Sequence, residues 1–366
     1  MNMSDVNTIK INGKDVSEII DNNGTVLWRK QKYIVLYSDN NDINISISWK
    51  RTGLVERDIK FLYTFDLSKG WKDLPENTTI STAIPMTNKI YIKRTQKERL
   101  SESTDNYVNF EITESPSESN KIKIAGYISG LTGGVDADDM RQSWPYNFFQ
   151  IFSGTEIYDA SELKLYYTSE SFLFESAFAS CKKLKYPPKI EIRGPMVDEI
   201  FSYMFYNCSS LEYAPELPST TLFYACYLGM FRGCTSLKSA PELPATNLSY
   251  RCYSDMFYGC TSLTEAPELP ATTLADNCYS YMFSGCTSLK QAPELPATTL
   301  ADRCYSDMFY GCTSLKVKEY DSISGTKIFT CPSQTGITDS TKNMFLNTAG
   351  TFTGTPIAGY TYCWYE

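Results

Sequence analysis

At 366 residues the chain exceeds what one ordinary core holds, so two or three domains are expected; 42% hydrophobic and 21% charged residues are normal for a folded globular protein. A net charge of −8 argues against nucleic acid as a partner, because phosphate binding needs clustered Lys and Arg. The absence of His excludes Ser-His-Asp and Cys-His catalysis and any imidazole-ligated metal.

The opening, MNMSDVNTIKING, has no basic segment followed by an apolar run, so it does not read as a secretory signal. Either a leader is missing from the sequence or the protein leaves its cell by another route, such as lysis. No stretch approaches the roughly 18 apolar residues of a membrane span, and membrane insertion is not expected. Within residues 1–30, TIKINGKDV and GTVLWRK alternate around Asn12-Gly13 and Asn22-Asn23-Gly24, which predicts a small β-meander. It is too small to fold alone, and reads either as the first strands of the next domain or as an attachment module for a larger assembly.

Residues 31–134 read as an all-β, sandwich-like domain. YIVLYS, INISISW, KFLYTFDL, KIYIKRT, YVNFEIT and KIKIAGYISG are short alternating or β-branched segments, several separated by polar turns. The basic cluster Lys93, Arg94, Lys97 and Arg99 reads as a solvated loop. The VDADD run after Gly134 reads as a loop or helix cap at the domain boundary, since it lacks the Gly and terminal Glu of a calcium loop.

From residue 135 to 331 the chain repeats itself. Phe205, Phe231, Phe257, Phe283 and Phe309 recur every 26 residues, each preceded by Met and followed three residues later by Cys208, Cys234, Cys260, Cys286 or Cys312. Leu211, Leu237, Leu263, Leu289 and Leu315 come next, and APELP follows the first four of them. Phe178, Phe152 and Phe345 extend the series as degenerate end units, leaving 332–366 as a C-terminal cap. In TTLADNCYSYMFSGC, Leu274, Cys278 and Met282 recur every four residues, Thr273 and Asp276 suggest a capping box, and Gly285 suits a helix terminus. This predicts a short helix, a glycine turn, a brief strand or extended leg over 289–295 and a proline turn, stacked about seven times. The expected class is therefore α+β, a leucine-rich-repeat-like solenoid behind all-β N-terminal parts.

All twelve cysteines lie from residue 181 onward, with no CxxC spacing. They read as small buried residues of the repeat core, with a disulfide zipper or metal binding as alternatives, and Cys331 and Cys363 stand outside the ladders. No cofactor and no metal is expected. Glu216, Glu242, Glu268 and Glu294 recur once per unit and read as a solvated stripe or as a surface for cations or a basic partner. Tyr206, Arg232, Tyr258, Ser284 and Tyr310 vary at one repeat position, and such variation on a rigid frame is where recognition is sought. Tyr253, Tyr279 and Tyr305, each following Cys, are expected in the core. Duplication also explains the near-identity of the units.

The block C-x-x-L-x-x-A-P-x-L-P followed by C-Y-x-x-M-F-x-G-C resembles the BspA-like leucine-rich repeats over about 149–345. Proteins with such repeats occur on the surface of gut Bacteroidetes and some protozoa and in tail or fibre proteins of Bacteroidetes phages. This chain differs from the usual version in a Pro-Glu between Ala and Leu and in a longer unit. The opening I-K-I-N-G-K-D-V and G-T-V-L-W-R-K resembles the start of many phage virion proteins. Together these resemblances imply a virion structural protein, a head or tail fibre or decoration. It would bind other virion proteins through its N-terminal half and a host surface protein or glycan through the solenoid, as a homo-oligomer and without catalysis. The alternative is a bacterial cell-surface adhesin lacking its leader.

Overall fold

The computed structural model describes residues 9–11, 14–16, 18–20, 26–29, 33–39, 44–52, 60–83, 89–94, 107–115, 122–127, 148–167, 174–192, 195–320, 326–333 and 336–365. The VDADD run and the pair Lys97 and Arg99 lie outside them. Two hairpins come first, β1 (Ile9–Ile11) with β2 (Lys14–Val16) and β3 (Glu18–Ile20) with β4 (Val26–Arg29).

The next strands form two facing sheets. One has the order β14-β13-β12-β5-β10-β7-β8, built from β5 (Ile34–Tyr37), β7 (Phe61–Thr64), β8 (Lys72–Leu74), β10 (Lys89–Arg94), β12 (Lys123–Tyr127), β13 (Asp159–Tyr167) and β14 (Lys189–Ile192). The other is β11 (Tyr107–Ser115), β6 (Asn44–Thr52) and β9 (Ile80–Ser81). The alternating residues Ile34, Leu36, Ile90 and Ile92 of the first sheet face Ile45, Ile47, Phe110 and Ile112 of the second, all buried. Trp49 and Phe61 meet edge-on at 5.1 Å, Phe61 and Phe110 at 4.9 Å, and the Trp49 indole donates to the Leu74 carbonyl at 2.8 Å. Because β12, β13 and β14 pair in parallel, the sheet runs on into the first repeats, and one apolar core continues from Ile34 to Tyr362.

The repeats correct the expected class. Among the described residues no α-helix occurs and the structure is all-β. Where a helix was predicted, the backbone makes a run of tight turns. Met204, Tyr206 and Cys208 each donate to the carbonyl three residues back, and the same pattern recurs in every later rung. Every fourth residue has a left-handed backbone: Glu199, Tyr203 and Asn207; Ala225, Gly229 and Gly233; Arg251, Asp255 and Gly259; and so on to Asn347. A right-handed helix excludes this conformation, and a turn with a positive φ at its third position requires it.

The alternate residues donate outward instead. Tyr203, Phe205 and Asn207 donate to the carbonyls of Leu228, Met230 and Arg232, 25 residues ahead, at 2.8–2.9 Å. Rungs centred on Phe152, Phe178, Phe205, Phe231, Phe257, Phe283, Phe309 and Phe345 are joined this way, the joining N–H groups pointing toward the C-terminus and the carbonyls that accept from them toward the N-terminus. These bonds satisfy groups that the turns leave free and offset the left-handed strain. Gly259 sits at one such position (φ +72) in a column that Asn207 and Asn347 share. Gly259→Asn is therefore expected to unfold close to wild type in urea, and Gly259→Val to lose about 1–2 kcal/mol; equal midpoints would refute the backbone assignment.

Pairs of buried residues recur every four positions, which gives the turns a period of four. In 251–260, Cys252, Tyr253, Met256, Phe257 and Cys260 are buried, while Arg251, Asp255 and Tyr258 reach the surface. Two aromatic columns run through the stack. Phe205, Phe231, Phe257, Phe283 and Phe309 stack at 5.5–5.7 Å, with Phe178 below and Phe345 above. Phe148, Phe174, Phe201, Tyr227, Tyr253, Tyr279 and Tyr305 form the second. All twelve cysteines are buried as thiols, outside any disulfide. The thiols of Cys208, Cys234, Cys260, Cys286 and Cys312 donate to the Phe carbonyl of the preceding rung at 3.0–3.1 Å, a role for a small residue with a weak donor. Burial pushes Cys252 and Cys286 up to about 12.

The proline leg is extended, but it makes no regular strand. Leu217, Leu243, Leu269 and Leu295 are buried, and single parallel bridges such as Glu265↔Gln291 and Thr273↔Thr299 flank APELP, whose prolines cannot donate. Leu211, Leu237, Leu263, Leu289 and Leu315 are fully buried behind the turns. Past the last full repeat, β15 (Lys316–Glu319), β16 (Thr326–Thr330), β17 (Ala349–Gly350) and β18 (Thr361–Trp364) form a small sheet that closes the end.

Candidate functional site

The left-handed turns set a polar groove on the outside of the stack. Successive left-handed positions, four residues apart along each rung, leave two columns side by side. One column runs Arg251, Asn277, Arg303 and Asp339; the other runs Asp255, Tyr281, Asp307 and Asn343. Arg232, Tyr258 and Lys342 complete an open groove of about 580 Å³. Its floor is Ser254, Ser280 and Ser306, which are buried. Ser254 and Ser280 donate to the Ser280 and Ser306 carbonyls of the next rung at 3.2 and 3.3 Å.

Several groove side chains hold one another in place. Arg232 pairs with Asp255 at 2.7 Å and lies 4.2 Å over the Tyr258 ring. Asp307 accepts from Ser306 at 2.8 Å and from Asn343 at 3.2 Å. Lys342 pairs with Asp339 at 3.1 Å. The Tyr281 phenol is pushed up by burial and then by the Asp307 carboxylate, so it stays protonated and can donate. Arginine and lysine here outnumber the acids in a chain whose net charge is −8. Planar donors, carboxylates and phenols of this kind recognise polar, hydroxyl-bearing surfaces.

A second shallow groove of about 490 Å³ lies nearer the N-terminus, between Gln150, Ser176, Tyr203, Tyr206 and Arg232. Beside that end of the stack, burial and then the charge of Glu199 push Glu175 up to about 7, and one of its carboxylate oxygens is buried without a hydrogen-bond partner. The fold thus favours the neutral acid. Its contribution is intact below pH 4.5 and is lost as the pH rises through 7. Glu175→Gln should raise stability at pH 8 by on the order of 2–3 kcal/mol and leave it unchanged near pH 4, read by thermal melts at both pH values.

The structure divides the residues expected from sequence. Tyr206, Arg232 and Tyr258 line the grooves, and Tyr310 is exposed in the same column. Ser284 is buried. Glu216, Glu242, Glu268 and Glu294 are exposed on the proline leg and line neither groove. Tyr253, Tyr279 and Tyr305 are buried in the stack. Arg251, Asp255, Asn277, Tyr281, Arg303 and Asp307 escaped sequence reasoning, because a helical wheel scatters positions that a four-residue turn lines up. Their alternation at 26-residue spacing was the available signal.

Residues 175–331 match the family model for the BspA type leucine-rich repeat region in six copies. This segment belongs to the BspA-type leucine-rich-repeat family. The BspA-type region lies inside the hydrogen-bonded stack, which continues past both its limits to Phe152 and Phe345. Repeats of this kind indicate adhesion or protein interaction. No curated protein and no solved structure matches the chain.

Proposed function

We propose that the protein is a virion component, a fibre or decoration of a head or tail, whose BspA-type solenoid adheres to a host surface protein or glycan through the groove. One observation carries the adhesive part. The inward residues are nearly constant from rung to rung, while the outward residues of the turns change, so a rigid frame presents a varied polar face. Binding rather than turnover is the role this face suits. The resemblance of the opening residues to virion proteins supports attachment through the N-terminal half.

Immunogold labelling of particles and cells from the source tests the location. Label on particles is the expected result, and label confined to the bacterial envelope would transfer the same adhesive function to a cell-surface protein. A chain lacking residues 1–30 should still bind host cells and should no longer enter particles. Incorporation at the wild-type level would refute the attachment role.

A further inference from the structure

Three adjacent rungs read RCYSDMFYGC over 251–260, NCYSYMFSGC over 277–286 and RCYSDMFYGC over 303–312. The buried Cys, Tyr, Met, Phe and Cys are the same in all three. The differences fall at three positions and alternate together: Arg251, Asn277, Arg303; Asp255, Tyr281, Asp307; and Tyr258, Ser284, Tyr310, of which only the small Ser284 is buried. Over these three rungs the core therefore repeats every rung and the turn face every second rung. Packing does not demand that doubling, since the core beneath is uniform.

The cations of this pattern are available. Arg232 and Lys342 are held by Asp255 and Asp339, but neither Arg251 nor Arg303 forms an ion pair among the described residues, and both are exposed. Between them stand Asn277 and the Tyr281 phenol, 41% exposed.

We propose that this groove binds a linear acidic polysaccharide with a two-sugar repeat and one anion on every second sugar, lying along the solenoid axis. The proposal rests on the adhesive reading of the groove and names its ligand class. The guanidinium groups of Arg251 and Arg303 take successive anions, and Asn277 and Tyr281 face the uncharged sugar between them. Neighbouring rungs, joined by amide-to-carbonyl bonds of 2.9–3.0 Å, lie about 5 Å apart, and the offset rings of Tyr253, Tyr279 and Tyr305 stack at 5.8–5.9 Å. An extended polysaccharide advances by a similar step per sugar, so its anions and the arginines stay in register. An extended peptide advances about 3.3 Å per residue and presents same-face side chains about 6.6 Å apart, which matches one rung rather than two. An anion on every sugar would set a charge against Asn277, with no cation to receive it.

Titration calorimetry on the full chain at low salt tests the proposal with three probes: an oligosaccharide of alternating uronic acid and N-acetylated hexosamine, the same oligosaccharide after carboxyl reduction, and a homopolyuronate. The alternating acid should bind best, and carboxyl reduction should weaken it at least tenfold. Arg251→Asn and Arg303→Asn, which place in each left-handed site the residue that Asn277 already provides there, should each weaken binding about tenfold and flatten its salt dependence. Asn277→Arg should shift preference toward the homopolyuronate. Equal binding of the reduced and acidic oligosaccharides, or wild-type affinity in both arginine variants, would overturn the proposal. Host-cell adhesion by the same proteins separates the two levels. If the double arginine variant loses adhesion while the alternating acid neither binds nor competes, the ligand class is wrong and the adhesive groove stands. If the wild-type chain does not adhere, the adhesive reading itself fails.

Discussion

Phe257→Ala is expected to cost about 3–5 kcal/mol, the largest single-residue loss in the solenoid. The ring is fully buried and stacks at 5.7 Å on Phe231 and 5.5 Å on Phe283, so truncation opens a cavity and removes two stacked pairs at once. The rungs above and below are tied to it by N–H donors pointing one way only, Phe231 to Met256 and Phe257 to Met282. In a stack of nearest neighbours the damage should stay local. Hydrogen exchange should speed up at amides in the rungs of Phe231, Phe257 and Phe283, while β6 and β11 keep their protection. A loss under 1 kcal/mol in urea, or uniform deprotection of the whole chain, would contradict this picture.

Removing residues 349–366 should have a comparably large effect of another kind. Because the alternate amides of the turns all donate toward the C-terminus, the last rung would present a row of unpaired N–H groups. The C-terminal segment covers it: Asn343 donates to the Thr355 hydroxyl at 2.8 Å, Phe345 to the Gly354 carbonyl at 2.9 Å and Asn347 to the Thr353 hydroxyl at 3.0 Å. Tyr362 and Phe352 close over the Phe345 ring. The opposite end is covered by β11, where the Phe110 amide donates to the Ile151 carbonyl at 2.9 Å and the Asn109 amide group to the Gln150 and Ser153 carbonyls. An exposed backbone edge beside an apolar face templates association. The truncated chain should therefore sediment as larger, concentration-dependent species. The double variant Thr353→Ala, Thr355→Ala, which removes only the two hydroxyl acceptors, should lose about 1–4 kcal/mol. Unchanged sedimentation together with an unchanged unfolding midpoint would show that the end needs no cover.

The two ends also give the all-β N-terminal half a structural role besides any attachment. Phe110 stacks on Phe152 at 6.0 Å, and Lys183 reaches back to Glu114 at 3.0 Å and Glu156 at 3.2 Å. The first rung is thus finished by a sheet whose own interior is already sealed by Trp49, Phe61 and Leu74.

Sequence alone determined the periodic part of this protein. Spacing of Phe, Cys and Leu at 26 residues identified the stack, its inward face and both degenerate ends, because a side chain that plugs into the rung beside it must recur at the length of one coil. It also placed Tyr253, Tyr279 and Tyr305 in the core and the four glutamates in solvent. Only the tertiary structure decided the backbone between those anchors. A four-residue spacing over a segment as short as 252–260 fits a helix of period 3.6 and a run of turns of period four equally well. What separates them is the bond from each alternate amide to a carbonyl 25 residues away, and a local reading cannot supply it. The groove followed from the same decision, because left-handed turns bring Arg251, Asn277 and Arg303 into one column.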